Sequence, residues 1–394
     1  QLDEDSNHLS ADTFADCLLC SNEPEFAKAL KKAYQGYIVV RPLVSAPIGR
    51  TCLSVGLFGN NQNRSVCVRH RQNVHILGLE LEVDSLPFQE QDSVVAACAT
   101  VALWTCLKQA VSVFRIKAMT SAEITLHGSK SRSPRAIPSG GLTTDDVCSA
   151  IHEAGLEAER FYLKGMALTD FLTLVKAYTT SALPIFLGVD ATSDSGQVEK
   201  HAIVVAGHGL ANSPGGSVPV LYCHDDGIGP FTAMKVLECK PSDDKKLPDL
   251  VRLDPGNGDN YYPEVAIVPV YNKIRVHYKH ALDFLKLLTQ AIDDDDSGTI
   301  ISRFELGNWI LKLTTGSELK AEYRLLAEGQ IQARELLGES LPKYLWRASL
   351  FYGSSLIVDI CIDATDSPLS ATVASVLISE MAYEAVLWNA TSDI

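Results

Sequence analysis

The stretch Lys200 to Gly209, KHAIVVAGHG, decides how this chain is read. Its centre is a short run of β-branched and small apolar residues bounded by glycine, which predicts a buried strand, and His201 stands at the entrance. A similar segment precedes it, LPIFLGVD from Leu183 to Asp190, and another follows, VPVLYCHD from Val218 to Asp225. Gly, Ser and Asp clusters separate the three, so an antiparallel sheet is expected. In such a sheet a histidine at the start of one strand and an aspartate at the end of the next can meet.

Upstream lies the longest apolar run of the chain, VVAACATVALW from Val94 to Trp104, with Ser93 as a candidate N-cap. It is too short to span a membrane, and it predicts a helix apolar on nearly every side, inside a domain. Cys98 falls in the opening turns of that helix. A thiol is a useful nucleophile only as thiolate, and a helix N-terminus stabilises the anion through its unpaired N–H groups and dipole. The thiolate needs an imidazole nearby, and the imidazole needs a third polar group to orient it. His201 and Asp225 fill those roles, with Asp226 as a rival to Asp225 because adjacent strand residues face opposite ways. Gln91 can donate its side-chain amide to an oxyanion beside the Cys98 backbone N–H, and Gln89 is its rival.

The order Gln, Cys at the head of a buried helix, HAIVVAGHG, and an Asp before the GPF turn of YCHDDGIGPF resembles the papain-like cysteine peptidases. It is most similar to the bacteriocin-processing double-glycine peptidase branch. The resemblance covers about Leu86 to Val270. It implies an α+β fold, with a central helix packed on an antiparallel sheet, and a bacterial enzyme that performs thiol-dependent cleavage of a peptide or isopeptide bond in another protein. Two other functions remain open: an acyltransferase with the same triad, and an inactive papain-like protein that binds a partner. The other thiols, Cys106, Cys148 and Cys223, are expected to be inert, and His208 and His224 to be structural.

The rest of the chain bounds these readings. Its 394 residues suggest two or three domains. These are an N-terminal β-rich extension over 1–85, the catalytic domain over 86–270 and a C-terminal α+β domain over 271–394. The composition, 46% hydrophobic and 21% charged, is that of a globular protein. A net charge of -14 disfavours nucleic acid and anionic lipid as partners. The expected partners are a protein or peptide substrate and a regulatory protein docked on the flanks. The acidic start, QLDEDSNHLS, carries no secretory signal, and ten scattered cysteines point to a reducing cytoplasm.

Other elements are expected as follows. Helices are predicted near Phe26 to Tyr34, 141–155, Ala167 to Tyr178, His280 to Ile292, Phe304 to Leu313, Glu318 to Leu337 and Ser367 to Trp388. Strands are predicted in GYIVVRPL, RTCLSVGLF, EVAIVPVY, LPKYLWRASLFYG and LIVDICIDATD, and VHILGLELEV is read as one strand from Val74 to Val83. Lys240 to Tyr262 is expected to be a domain-edge connection, and His127 to Ser139 a loop that could act as a lid. DDDDSGTIISRF, Asp293 to Phe304, approaches a calcium loop but has Phe304 where the bidentate Glu belongs, so an acidic turn is expected. Cys17-x-x-Cys20 lacks a second metal-binding pair, and GLFGNNQN lacks the Lys-Ser/Thr of a phosphate loop. No metal and no cofactor are therefore expected.

Overall fold

A computed structural model describes residues 24–44, 46–58, 64–76, 78–91, 98–128, 141–193, 196–213, 216–239, 251–293, 309–326, 331–352, 355–367 and 372–378, with residues 12, 15, 16 and 19. In chain order the first half holds α1 (Pro24–Ala33), β1 (Gly36–Val40), β2 (Ile48–Leu53), β3 (Arg64–Ser65), β4 (His70–Ile76), β5 (Leu79–Ser85), α2 (Cys98–Phe114), α3 (Ser121–Gly128), α4 (Thr144–Glu153), β6 (Leu156–Tyr162) and α5 (Leu168–Thr180). Then follow β7 (Ile185–Thr192), β8 (Val198–Ser213), β9 (Gly216–Asp225), β10 (Gly229–Glu238), β11 (Val251–Asp254), β12 (Asn260–Tyr271) and α6 (Tyr278–Asp293). The last part holds β13 (Trp309–Thr315), α7 (Gly316–Leu326), α8 (Ile331–Leu336), β14 (Tyr344–Tyr352), β15 (Ser355–Asp363) and β16 (Val373–Ile378). The fold is α+β with antiparallel sheets. No described helix is long and apolar enough to cross a membrane.

The central sheet runs β11-β10-β9-β8-β7-β12-β6, with β3 added on β8. It curls so that one edge returns to the sheet, because Leu253 of β11 also pairs with Tyr261 of β12. The three strands predicted around KHAIVVAGHG are β7, β8 and β9, joined antiparallel in that order. Helix α2 packs across β7, β8 and β12 and is buried on almost every side, from Ala99 through Leu107. Leu103 and Leu107 are no more than 2% exposed, and burying each such side chain contributes roughly 1.5–3 kcal/mol. Helix α4 opens with a capping box between Thr143 and Asp146, as its sequence predicts.

The glycine of the VVAGHG run has a steric reason. A Cβ on Gly207 would stand 2.5 Å from the Ser65 carbonyl oxygen and 2.9 Å from Val66 Cα, because β3 crosses β8 there. Only a residue without a side chain admits that approach.

Several expectations are corrected. VHILGLELEV is not one strand: β4 and β5 form a hairpin that reverses at Gly78, whose φ of 84° suits glycine. The domain-edge stretch is part of the central sheet from Val251 on, with Val251, Leu253 and Tyr261 buried; residues 240–250 lie outside the described residues. The end of the helix predicted at Phe304 to Leu313 is strand β13, where Trp309, Leu311 and Leu313 are buried and Ile310 between them is exposed. The helix predicted from Ser367 contains β16, which pairs with β15 through β-branched residues; 379–394 lie outside the described residues. Glu318 to Leu337 holds two helices, α7 and α8. His127 belongs to α3, while 129–140 are outside the described residues, as are 294–308 and both cysteines of Cys17-x-x-Cys20.

The sheet β13-β14-β15-β16 turns Val358, Ile360 and Ile362 to the main core, as its alternation predicts. Its other face is covered too, by Leu319, Tyr323 and Ala333 of α7 and α8. Asp359 is therefore fully buried, and it accepts hydrogen bonds from Arg347 Nε, Ser349 Oγ and Tyr323 OH, each at 2.8 or 2.9 Å. This sheet is fastened to the rest of the fold by Trp346 Nε1, which donates to Val276 O at 2.6 Å in the segment after β12, and by Leu313 N, which donates to Ser181 Oγ at 2.7 Å at the end of α5.

Candidate active site

Strand register brings the predicted residues together. Val204 pairs with His224 across β8 and β9, so Asp225 falls opposite Ile203 and shares a face with His201. His224 is turned to the other face. There its Nδ1 accepts from Phe231 N at 3.0 Å and its Nε2 lies 3.0 Å from Leu86 O, which makes it a neutral structural histidine. Burial holds its pKa down at about 4. His208 is likewise engaged, with Thr179 Oγ1 at 2.9 Å from its Nδ1.

His201 Nε2 is 3.1 Å from Asp225 Oδ1 and 3.6 Å from Asp226 Oδ1. The Cys98 side chain is close enough to the ring to raise its pKa. Since Nε2 faces the carboxylates, Nδ1 is the nitrogen left for the thiol. Burial works to lower the His201 pKa, but Asp225, Cys98 and the charge of Asp226 outweigh it and raise the pKa to about 10. The imidazolium is thus the form this environment prefers. Cys98 is half-buried and packs against the core at the start of α2 as described.

Asp225 is fully buried and well held. Tyr261 OH donates to Oδ2 at 2.9 Å, and Gly227 N donates to Oδ1 at 2.9 Å. Burial opposes its charge, yet His201 and these donors hold the carboxyl below its usual value. Asp226 differs sharply. Its side chain is 3% exposed, and among the described residues neither oxygen meets a donor in hydrogen-bonding geometry. Burial, then the neighbouring Asp225 and Glu90, push its pKa up to about 6 against the pull of His201.

Sequence reasoning missed Tyr261, which orients Asp225 and also meets the His201 ring edge-on at 5.8 Å between centroids. Its only signal was the aromatic pair ahead of EVAIVPVY, inside the stretch taken for a connection. The two glutamines are placed differently. Gln89 Nε2 reaches Ser121 Oγ of α3 at 3.5 Å, so its amide is engaged there. Gln91 is half-buried after a bridge between Thr51 and Phe88, and residues 92–97 between it and Cys98 lie outside the described residues. Burial raises the thiol pKa of Cys106, Cys148 and Cys223, which fits inert cysteines.

Cavity size does not single out this site. A cavity of about 590 Å³ lies along the β4–β5 hairpin by Lys31, Arg71 and His75, and one of about 360 Å³ lies between α2 and β13 by Arg69, His70 and Gln109. Neither touches Cys98 or His201; what marks the site is its chemistry. Among the described residues His201, Asp225 and Asp226 form a group with ligand-type atoms all within 4.8 Å of one another, so these three are the ones that could hold a metal ion. In comparisons with known proteins, the chain matches no family model and no curated protein.

Proposed function

We propose that the chain is a papain-like cysteine peptidase that cleaves a peptide or isopeptide bond in a protein substrate. The reading is carried by one observation: His201 interacts both with the Cys98 thiol and with the buried carboxylate of Asp225. A nucleophile, a base and an orienting group in that order are what acyl transfer through a thiol requires.

In this scheme His201 takes the Cys98 proton and stays an imidazolium, held by Asp225. The thiolate adds to the substrate carbonyl carbon, forming the C–S bond, and the oxyanion accepts from the Cys98 backbone N–H and the Gln91 amide. Collapse breaks the C–N bond, and the departing amine takes the proton from His201. The neutral ring then deprotonates water, which attacks the acyl-enzyme; the acid leaves and the proton returns to Cys98. Tyr261 and Gly227 N keep Asp225 fixed through both halves. The eight described cysteines are all unpaired, which supports a reducing compartment, and we assign the cytoplasm. The flanking β-sheets are the proposed docking surfaces for substrate or a regulatory partner.

The test is the pH dependence of iodoacetamide alkylation, read cysteine by cysteine by mass spectrometry on wild type and His201→Ala. Cys98 should react fastest in mild acid and lose that advantage in the variant. If Cys98 reacts like the other thiols in wild type, the peptidase reading fails.

A further inference from the structure

Asp226 has no task in the acyl-transfer scheme, yet it is placed at considerable expense. Its carboxylate is 3% exposed beside another buried carboxylate, and among the described residues neither oxygen meets a donor in hydrogen-bonding geometry. A carboxyl group buried without a hydrogen-bond donor is costly unless it is paired or bound to a metal, and the Asp226 ligand atom lies within 4.8 Å of those of His201 and Asp225.

We propose that His201 Nε2, Asp225 and Asp226 form a site for one zinc-class divalent cation, and that filling it silences Cys98. Two separations are close to those of a bound zinc: Nε2 stands 3.1 Å from the Asp225 oxygen and 3.6 Å from the Asp226 oxygen, where ligands about 2.0–2.2 Å from a tetrahedral zinc sit roughly 3.3–3.5 Å apart. All three ligand atoms lie within 4.8 Å of one another. An imidazole with two carboxylates favours zinc, cobalt or nickel over calcium or magnesium, which prefer all-oxygen shells. Asp225 is oriented by the Tyr261 hydroxyl and the Gly227 N–H, the kind of outer partners that fix a ligating carboxylate. A dication would neutralise the pair, and water would complete the shell.

Binding exchanges a proton for the metal. The imidazolium loses its Nε2 proton to solvent, an Nε2–metal bond forms, and the ring keeps its single proton on Nδ1, facing Cys98. A ring in that state cannot accept the thiol proton or hand one to a leaving amine, so Cys98 loses the partner that activates it. The metal site itself is independent of the peptidase reading; the silencing rests on it.

The experiment titrates Co²⁺ into the metal-stripped full chain, follows its visible ligand-field absorption, and displaces it with Zn²⁺. Wild type and Cys98→Ala should bind one equivalent alike. Asp226→Asn should weaken binding about tenfold or more, and His201→Ala should abolish the bands. Asp226→Ala serves as the second variant, with circular dichroism to verify that each chain is folded. In parallel, one equivalent of Zn²⁺ should slow alkylation of Cys98 at least tenfold. Absence of binding to wild type, or equal binding to His201→Ala and Asp226→Asn, overturns the site. Binding that leaves a reactive Cys98 undiminished overturns the silencing. Binding to a chain whose Cys98 is ordinary in metal-free buffer upholds the site and refutes the peptidase reading instead.

Discussion

Replacing Asp225 by Asn removes a charge from beside His201 while leaving the shape of the site in place. The Asn carbonyl oxygen can stay where Oδ1 is, accepting from Gly227 N and from His201 at 3.1 Å. Its amide would then face the Tyr261 hydroxyl, 2.9 Å from Oδ2 in the native chain, and a hydroxyl can turn from donor to acceptor. A hydrogen bond to a charged group is worth about 1.5–3 kcal/mol, and each pKa unit is about 1.4 kcal/mol. The His201 pKa, raised to about 10 in the native chain, should therefore fall by about 1–2 units, with Asp226 retaining part of the shift. The assay is an NMR titration of the His201 imidazole in metal-free buffer. Stability gives an independent reading. The native state holds a proton that the unfolded chain releases near pH 6.5, so this contribution is complete below about pH 6.5 and drains away as pH rises through about 10. In Asp225→Asn the loss should come at lower pH. An unchanged midpoint, or a native midpoint near that of a free histidine, would refute the reasoning.

Two further outcomes test the scaffold. Gly207→Ala places a Cβ 2.5 Å from the Ser65 carbonyl oxygen, a backbone atom that cannot swing aside; urea unfolding should show a loss of about 1–3 kcal/mol. Arg347→Met strands the carboxylate of Asp359, which is fully buried and keeps only Ser349 and Tyr323 as donors. Thermal or chemical unfolding should show a loss of about 3–5 kcal/mol, and pairing the change with Asp359→Leu should recover much of it.

The parts of the fold that were legible are those whose burial is written in the local pattern. KHAIVVAGHG and its neighbours are apolar throughout because β7, β8 and β9 lie inside, and α2 is apolar all round for the same reason. The Val74 to Val83 alternation misled because its phase changes at Gly78: Val74 and Ile76 occupy even positions and Leu79, Leu81 and Val83 odd ones, which is the mark of a turn. WILKLTT and VASVLI were misassigned because short runs with few turn residues fit either period until a partner strand is known, and their partners, β14 and β15, are distant in sequence or separated by a loop. At the site, Cys98, His201 and Asp225 could be selected by residue type and order, but Tyr261 could not. Its role depends on β12 lying close to the end of β9, a consequence of the curl of the whole sheet.

The choice between Asp225 and Asp226 shows what a linear pattern cannot carry. Residue type makes the two equal, and strand alternation says only that they should diverge. Register selects Asp225, since it shares the face of His201; yet β9 ends there, and the turn that follows brings Asp226 back to within 3.6 Å of the same ring nitrogen. The ring then has one partner at Nδ1 and two competing ones at Nε2. A proton on Nε2 bonds to Asp225 and leaves Asp226 a buried charge; a cation on Nε2 engages both carboxylates but takes away the ring's ability to receive the thiol proton. A site built only to activate Cys98 would gain from Asn or a small apolar residue at 226, because either would remove the buried charge without touching the Asp225 hydrogen bonds. The carboxylate at 226 is therefore the residue whose replacement best separates the two chemistries: Asp226→Asn should keep the Asp225–His201 hydrogen bond while weakening the metal.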